Sequence, residues 1–450
     1  MLDKNLNKEV FLEVKLTDCY TLTEGKALMS GTEALVRLLL EQSRIDRLNG
    51  LRTKGLVSGY PGSPLGGLDI ALGKAKAFLD EEGIHFQPAV NEELAATALW
   101  GSQHINLYDN PDIQGVFSMW YGKGPGLDRA MDALRHANQG GVAPHGGMVI
   151  AVGDDPTGKS STLAYQSDQN FHSLGIPYFF PKNVSDIIPM GLEAFALSRY
   201  SGCCVGLKIV VDTADSNAVV DMSKLRPSLP ILKPNSLVHV TRHDPASVRE
   251  SKLHDVRLPA VQTWCENSEN VAQVYLPAKK GETRLGIIGV GKIANEVNEA
   301  LAGLLPDRGK KNTVAFTAIN MPWPLPEKKI STMLSVVEEV LVIEEKRSFV
   351  EEQIAKICLK QDRHILLSGK TNPDGTNLLP SYGELSLENI LNVIAARASH
   401  HSIALNPIEK APVVSPLSEI PIRQPYYCAG CPHNSSTKVS DDEIVGMGIG

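Results

Sequence analysis

Gly153, Gly158, Lys159 and Ser160 complete the phosphate-loop pattern G-x-x-x-x-G-K-S inside the stretch AVGDDPTGKSST, residues 151–162. Such a loop works by aiming successive backbone N–H groups and a lysine at a polyphosphate. Its interior here opposes that use. Asp154 and Asp155 put two carboxylates where a polyanion would sit, and Pro156 has no N–H to give. The residues that follow, STLAYQSDQNFHSLG, are polar and break at Gly175 where an amphipathic helix should start at once. A second acid to hold magnesium is offered only by IVVD, residues 209–212. An ATP-using acyl-CoA ligase or kinase with 153–160 as its phosphate loop is therefore the rival, and a polar loop at a strand end is the simpler account. A second glycine pattern, Gly289, Gly291 and Ala294, fits G-x-G-x-x-A after a strand. A dinucleotide site needs an acid at the end of the next strand to hold the ribose. That strand, VAFTAIN, ends on Asn320, so close strand–helix packing explains these glycines. Cys428 and Cys431 form C-x-x-C. The spacing suits zinc, a redox dithiol or an iron–sulfur cluster. Zinc would want a second pair, which His433 and the scattered remaining cysteines do not supply nearby; Pro432-His433 suits a thioredoxin-like motif, which would open a helix after a strand, whereas the preceding run here is a proline linker.

The elements that must position these residues alternate. Apolar runs ending near 59, 119, 152 and 211 read as strands, and 31–48, 91–107 and 126–138 carry helical spacing. Alternation of this kind means an α/β fold, a doubly wound, mainly parallel sheet with helices on both faces. Ligands then sit at the carboxyl ends of strands. From about 227 to 282 the pattern gives way to a proline- and charge-rich connector, after which a second, smaller α/β unit begins.

The whole chain bounds what these sites serve. Its 450 residues call for more than one domain. A net charge of −7 leaves no footprint for nucleic acid or an anionic membrane. No apolar stretch reaches the ~18–20 residues of a membrane span, and the N-terminus lacks the apolar core of a secretory signal. Seven cysteines, an odd and sparse set, fit a reducing cytoplasm better than a disulfide framework.

Three segments together resemble one family. SGYPGSPLGGLD (58–69), VNEELAATALWGSQ (90–103) and YYCAGCPHNSS (426–436) are similar, respectively, to the Tyr-Pro turn, the acid-bearing alanine-rich helix and the C-x-G-C-P-H segment of the 2-oxoacid:ferredoxin oxidoreductases. Their order is that of the long indolepyruvate ferredoxin oxidoreductases. The resemblance implies a thiamine diphosphate-binding pyrimidine domain over 1–230, a connector over 231–282, a transketolase C-terminal-like α/β domain over 283–375, a linker over 376–425, and over 426–450 the start of a diphosphate-binding domain. The last is expected to be cut short at Gly450, leaving this fragment inactive by itself.

The resemblance also implies roles. Thiamine chemistry needs a carboxyl group bonded to N1′ of the aminopyrimidine, which favours the tautomer that takes the C2 proton. Glu92 is the expected carboxyl, opening a helix that is small and apolar nearly all round, with Glu93 the alternative. Both would be ordinary first-turn acids without the flanking motifs. Tyr60, Pro61, Gly62 and Asn91 are expected at the cofactor, with Asp154 and Asp155 lining its site and the domain interface. Ser63, where the family carries threonine, is expected to touch the 2-oxoacid, and Lys123 to approach substrate. Cys428 and Cys431 would be cluster ligands. The implied reaction is oxidative decarboxylation of an aryl 2-oxoacid, indolepyruvate foremost, to its acyl-CoA, with electrons leaving through [4Fe-4S] clusters to ferredoxin. Mg²⁺, the remaining cluster ligands and the diphosphate domain would come from the rest of the chain or a second subunit, in a homodimer.

Overall fold

The computed structural model describes residues 15–159, 161, 163–306, 313–361, 364–407, 427, 429–440 and 442–443. Strand β1 (Lys26–Ser30) leads into helix α1 (Gly31–Leu48). The turn is fixed by a capping box: Ser30 Oγ accepts from Glu33 N at 3.2 Å and Glu33 Oε2 accepts from Ser30 N at 2.8 Å. Then come β2 (Thr53–Gly59), β3 (Ile84–Phe86), α2 (Glu92–Ser102), β4 (Gly115–Lys123), α3 (Gly124–Gly140), β5 (Met148–Asp154), α4 (Asp168–Leu174), β6 (Tyr178–Phe179), α5 (Val184–Ser201), β7 (Val205–Val210) and β8 (Asn217–Asp221). Strands β2 to β7 form one parallel sheet in the order β3-β2-β4-β5-β7-β6. Every residue of β5 and β7 is buried, as a sheet covered on both faces requires. Strands β1 and β8 pair separately as an antiparallel ribbon.

Helix α6 (Leu258–Asn267) precedes the second sheet, which comprises β9 (Ala272–Leu276), β10 (Leu285–Val290), β11 (Val314–Ile319), β12 (Glu339–Ile343) and β13 (Leu366–Ser368), in the order β13-β12-β10-β11-β9. Only β9 runs antiparallel to its neighbour. Residues alternate between its faces as the two-residue period dictates. Leu285, Ile287, Phe316, Ala318, Leu341 and Ile343 pack under α7 (Ile293–Leu304) and α9 (Leu387–His400). Ile288, Val290, Ala315, Ile319, Val340 and Val342 join the core of the first sheet, and α8 (Val350–Cys358) contributes Val350 and Ile354 there. One face of the second sheet thus joins the core of the first, while the other has a core of its own under α7 and α9.

Three expectations differ from what is found. The connector 231–282 contains α6, a helical run leading into it from Ala246, and the edge strand β9. Proline tolerated in the first turn of α6 does not interrupt that run. The linker 376–425 contains α9, whose Ile390, Val393 and Ile394 bury against the second sheet. Helix α2 is buried along one face only, through Glu92, Ala95, Ala96 and Leu99, while Leu94 is 51% exposed.

Candidate active site at the carboxyl edge of the first sheet

Glu92 is the first residue of α2. Asn91 caps the helix, its Oδ1 accepting from Leu94 N at 2.9 Å. The backbone of Glu92 is pinned from the sheet: Trp120, fully buried on β4, donates its indole N–H to the Glu92 carbonyl at 3.0 Å. Only 7% of Glu92 is exposed. Its carboxylate lies against Gly126 in the first turn of α3, where a methyl group would come within 2.7 Å of Oε1. The glycine therefore leaves the niche that the carboxylate fills. Arg129, one turn further along α3, holds its Nε at 3.9 Å from Glu92 Oε2. Two helix N-termini and the Arg129 guanidinium thus converge on the carboxylate. Glu93, the alternative, is exposed.

The turn after β2 comes to the same edge. The N–H of Tyr60 donates to the Tyr121 carbonyl of β4 at 3.2 Å, and Gly62 lies so close to the Lys123 side chain that an added methyl would stand 2.9 Å from its Cδ. Gly153, near the end of β5, allows Pro64 the same intimacy, at 2.8 Å from its Cδ. Tyr60 and Pro61 are exposed, and Gly62, Ser63 and Lys123 are half-buried. The structure therefore brings together Tyr60, Pro61, Gly62, Ser63, Asn91, Glu92 and Lys123 from the ends of two adjacent strands and from α2.

Asp154 and Asp155 behave differently. Both are buried, at 0% and 1% exposure, and turn inward. Asp155 accepts from Lys159 N at 3.1 Å and from Ser161 N at 3.0 Å, so it organises its own loop. Asp154 accepts from both the N–H and the hydroxyl of Ser167 at 2.9 Å through Oδ2, and its Oδ1 is buried without a hydrogen-bond partner. Lys208 on β7 sits between Asp154 at 3.4 Å and Asp168 at 2.7 Å, and Tyr178 donates to Asp168 at 2.5 Å. Burial, reinforced by Asp168, pushes the Asp154 carboxyl above its usual range against the pull of Lys208. For Asp168 burial acts upward too, but the Lys208 ion pair outweighs it and holds the carboxyl down. Sequence reading missed this cluster because its members lie on separate elements and share no motif. Trp120 and Gly126 lie in WYGKGPGLDRA (120–130), whose glycines the sequence places at the cofactor or substrate; their contacts with Glu92 are what the sequence does not show.

Ser160 of the phosphate-loop pattern lies outside the described residues. Among the described residues of 155–167 none is helical, and the N–H groups of Lys159 and Ser161 are spent on Asp155. Lys159 pairs with Glu384 of the second unit at 3.1 Å. Glu384 also meets Lys292 at 2.5 Å, which pairs in turn with Asp212 at 2.5 Å, so the loop belongs to an ionic clasp between units. Burial pushes Glu384 upward, yet its lysine partners outweigh this and hold the carboxyl down at about 2. Behind it, the Phe180 ring fills the space over Gly291, whose φ is +53°. Gly289 packs on Ala294, and Asn320 accepts from Lys182 at 3.2 Å. That arrangement serves contact between the units rather than a dinucleotide. Cys428 lies outside the described residues. Cys431 Sγ is 3.2 Å from His433 Nδ1.

Residues 277–413 match the family model described as the indolepyruvate oxidoreductase domain. The indolepyruvate oxidoreductase subunit IorA of Methanothermobacter marburgensis is 26% identical over 407 residues, covering 90% of this chain and 58% of that protein. Its counterpart in Methanothermobacter thermautotrophicus is 26% identical over 450 residues, covering 96% of this chain and 65% of the relative. The chain thus spans about three-fifths of the length of these curated relatives. Among solved structures, the 2-oxoglutarate:ferredoxin oxidoreductase from Magnetococcus marinus, with 2-oxoglutarate, coenzyme A and succinyl-CoA bound, superposes with a TM-score of 0.55 at 17% identity. The match covers 83% of this chain and 65% of that one, and it is a likeness of fold. The resemblance carried by three short segments therefore extends along most of the sequence.

Proposed function

We propose that this chain supplies the pyrimidine-binding side of a thiamine diphosphate site, in an enzyme that oxidatively decarboxylates an aryl 2-oxoacid, indolepyruvate foremost. The observation that carries the proposal is the Glu92 carboxylate. It is buried at a helix N-terminus, opposite a glycine that leaves it room, on the strand-end edge where α/β folds bind ligands. An acid in such a buried niche fits the partner that an aminopyrimidine requires. Thiamine diphosphate, when bound, supplies the electron sink that decarboxylation needs. Glu92 would hold a proton-sharing bond to the ring, and Asn91 and Trp120 keep its backbone in place. The Ser63 hydroxyl orients the 2-oxoacid, and the Lys123 ammonium offsets its carboxylate. Tyr60, Pro61 and Gly62 shape the wall between them. Asp154 and Asp155 act one layer below, fixing the loop that closes over α3.

The names of the relatives support indolepyruvate, and the structural neighbour is linked to ferredoxin and coenzyme A. On that basis coenzyme A takes the acyl group, and electrons leave through [4Fe-4S] clusters to ferredoxin. Cys428 and Cys431 would serve as cluster ligands. Mg²⁺ and the remaining cluster ligands would come from a longer chain or a second subunit, in a homodimer. No described helix is long and apolar enough to cross a membrane. Glu92→Gln in the complete enzyme is the test. Indolepyruvate-dependent viologen reduction should fall by about 10²-fold or more. Undiminished turnover would overturn the assignment, and tight Mg·ATP binding without thiamine diphosphate binding would restore the ligase or kinase alternative.

A further inference from the structure

The second sheet has a strand-end cleft of its own. The loops after β11, β12 and β13 supply Trp323, Arg347 and Lys370, α8 adds Lys356, and α4 of the first unit closes one side with His172. The space measures about 400 Å³. It lies where α/β sheets and domain junctions bind small ligands. Its walls are aromatic, with His172 edge-on to Trp323 at 5.3 Å and to Phe349 at 6.0 Å.

Its charges are unbalanced. Lys370 is 8% exposed, and its ammonium donates to the carbonyls of Glu344 at 2.5 Å and Pro380 at 3.4 Å. Arg347 Nε donates to the neutral Gln166 Oε1 at 3.4 Å. Among the described residues, no carboxylate comes within ion-pair distance of Arg347, Lys356 or Lys370. Among the described residues, Glu352 is the one acid that lines the cleft, and it accepts from Ser348 Oγ at 3.1 Å. The helix end adds nothing, because Glu344 already accepts the N–H groups of Phe349, Val350 and Glu351. Lys370 is the buried cation of the cleft, faced by the carboxylates of Glu344, Glu345 and Glu351, while Arg347 and Lys356 are exposed and without ion-pair partners among the described residues. Two such cations beside aromatic walls suit a ligand with more than one negative charge and a flat ring, and an aryl monocarboxylate would satisfy one of them and leave the other.

We propose that this cleft binds a nucleoside di- or triphosphate, its base against Trp323 and His172 and its phosphates on Arg347 and Lys356. The site lies apart from Glu92 and does not depend on the activity proposed above. The test is calorimetric titration of the full chain with ADP, inorganic phosphate and indole-3-acetate, joined to photolabelling with 8-azido-ADP. ADP should bind most tightly, and the label should map to peptides containing His172 or Trp323. The double variant Arg347→Gln/Lys356→Gln changes two exposed side chains, so it should melt normally yet bind ADP at least ten-fold more weakly. The proposal is overturned by failure of millimolar ADP to bind, or by equal affinity for ADP and indole-3-acetate. Label within 153–160, or a folded double variant that binds as before, would overturn it too.

Discussion

Alanine at Gly126 separates stability from catalysis. In an ordinary helix this exchange stabilises by roughly 1 kcal/mol. Here the new methyl would stand 2.7 Å from Glu92 Oε1 and 2.8 Å from its Cγ, against about 3.4 Å for ordinary contact. The obstacle is the far end of a flexible side chain, so the fold can yield. Moving that carboxylate off its rotamer costs about 0.5–1.5 kcal/mol, and the two effects nearly cancel. The reacting end must retreat by about 0.7 Å, and a misplacement of ~1 Å costs about 10²-fold in rate. Gly126→Ala in the complete enzyme should therefore melt within a few degrees of the parent yet lose roughly 10- to 50-fold in 2-oxoacid turnover. Thermal melting and viologen reduction measure the two sides. Full activity in a well-folded variant would show that the position of the Glu92 carboxylate is immaterial, and the proposed site would fail with it.

Other perturbations reach the same framework. Asp168→Asn removes the closer of the two carboxylates at the buried Lys208, 2.7 Å against 3.4 Å for Asp154, so it should destabilise by about 1–3 kcal/mol and by more than Asp154→Asn; equal losses in denaturant melts would contradict the division of roles. Glu384 is held down at about 2 by its lysines, so its stabilisation is complete above about pH 4.5 and drains as pH falls towards 2. Glu384→Gln should remove that part of the acid dependence, and an unchanged profile of melting temperature against pH would refute the clasp. Trp120→Phe removes the indole bond to the Glu92 carbonyl, which keeps its helical donor, and should destabilise by about 0.5–1.5 kcal/mol, checked by urea titration.

Most of the sheet framework was legible because buried parallel strands are continuous apolar runs and the helices between them keep their period. α1 spans 31–48 as its spacing predicts. What escaped was set at long range. β9 is half-exposed at a sheet edge and lacks an apolar run, and α9 follows a loose stretch that looked like linker. The surroundings of α2 were overread: alanines are compatible with a buried face and equally with an exposed one, and Leu94 and Thr97 face outward. For the site, Glu92 and the 60–63 turn were visible because local motifs announce them. Lys208, Asp168 and Tyr178 meet only after three elements fold together, so no window of sequence contains the cluster.

The Lys159–Glu384 pair joins residues 225 positions apart, and Lys292 ties the same carboxylate to Asp212. Anyone exchanging the rear half of this chain for a homologue's would be swapping one jaw of a vice. A donor segment lacking the acid would leave Lys159 without its partner, and one lacking the lysine would do the same to Asp212, so a chimera should carry both jaws or neither.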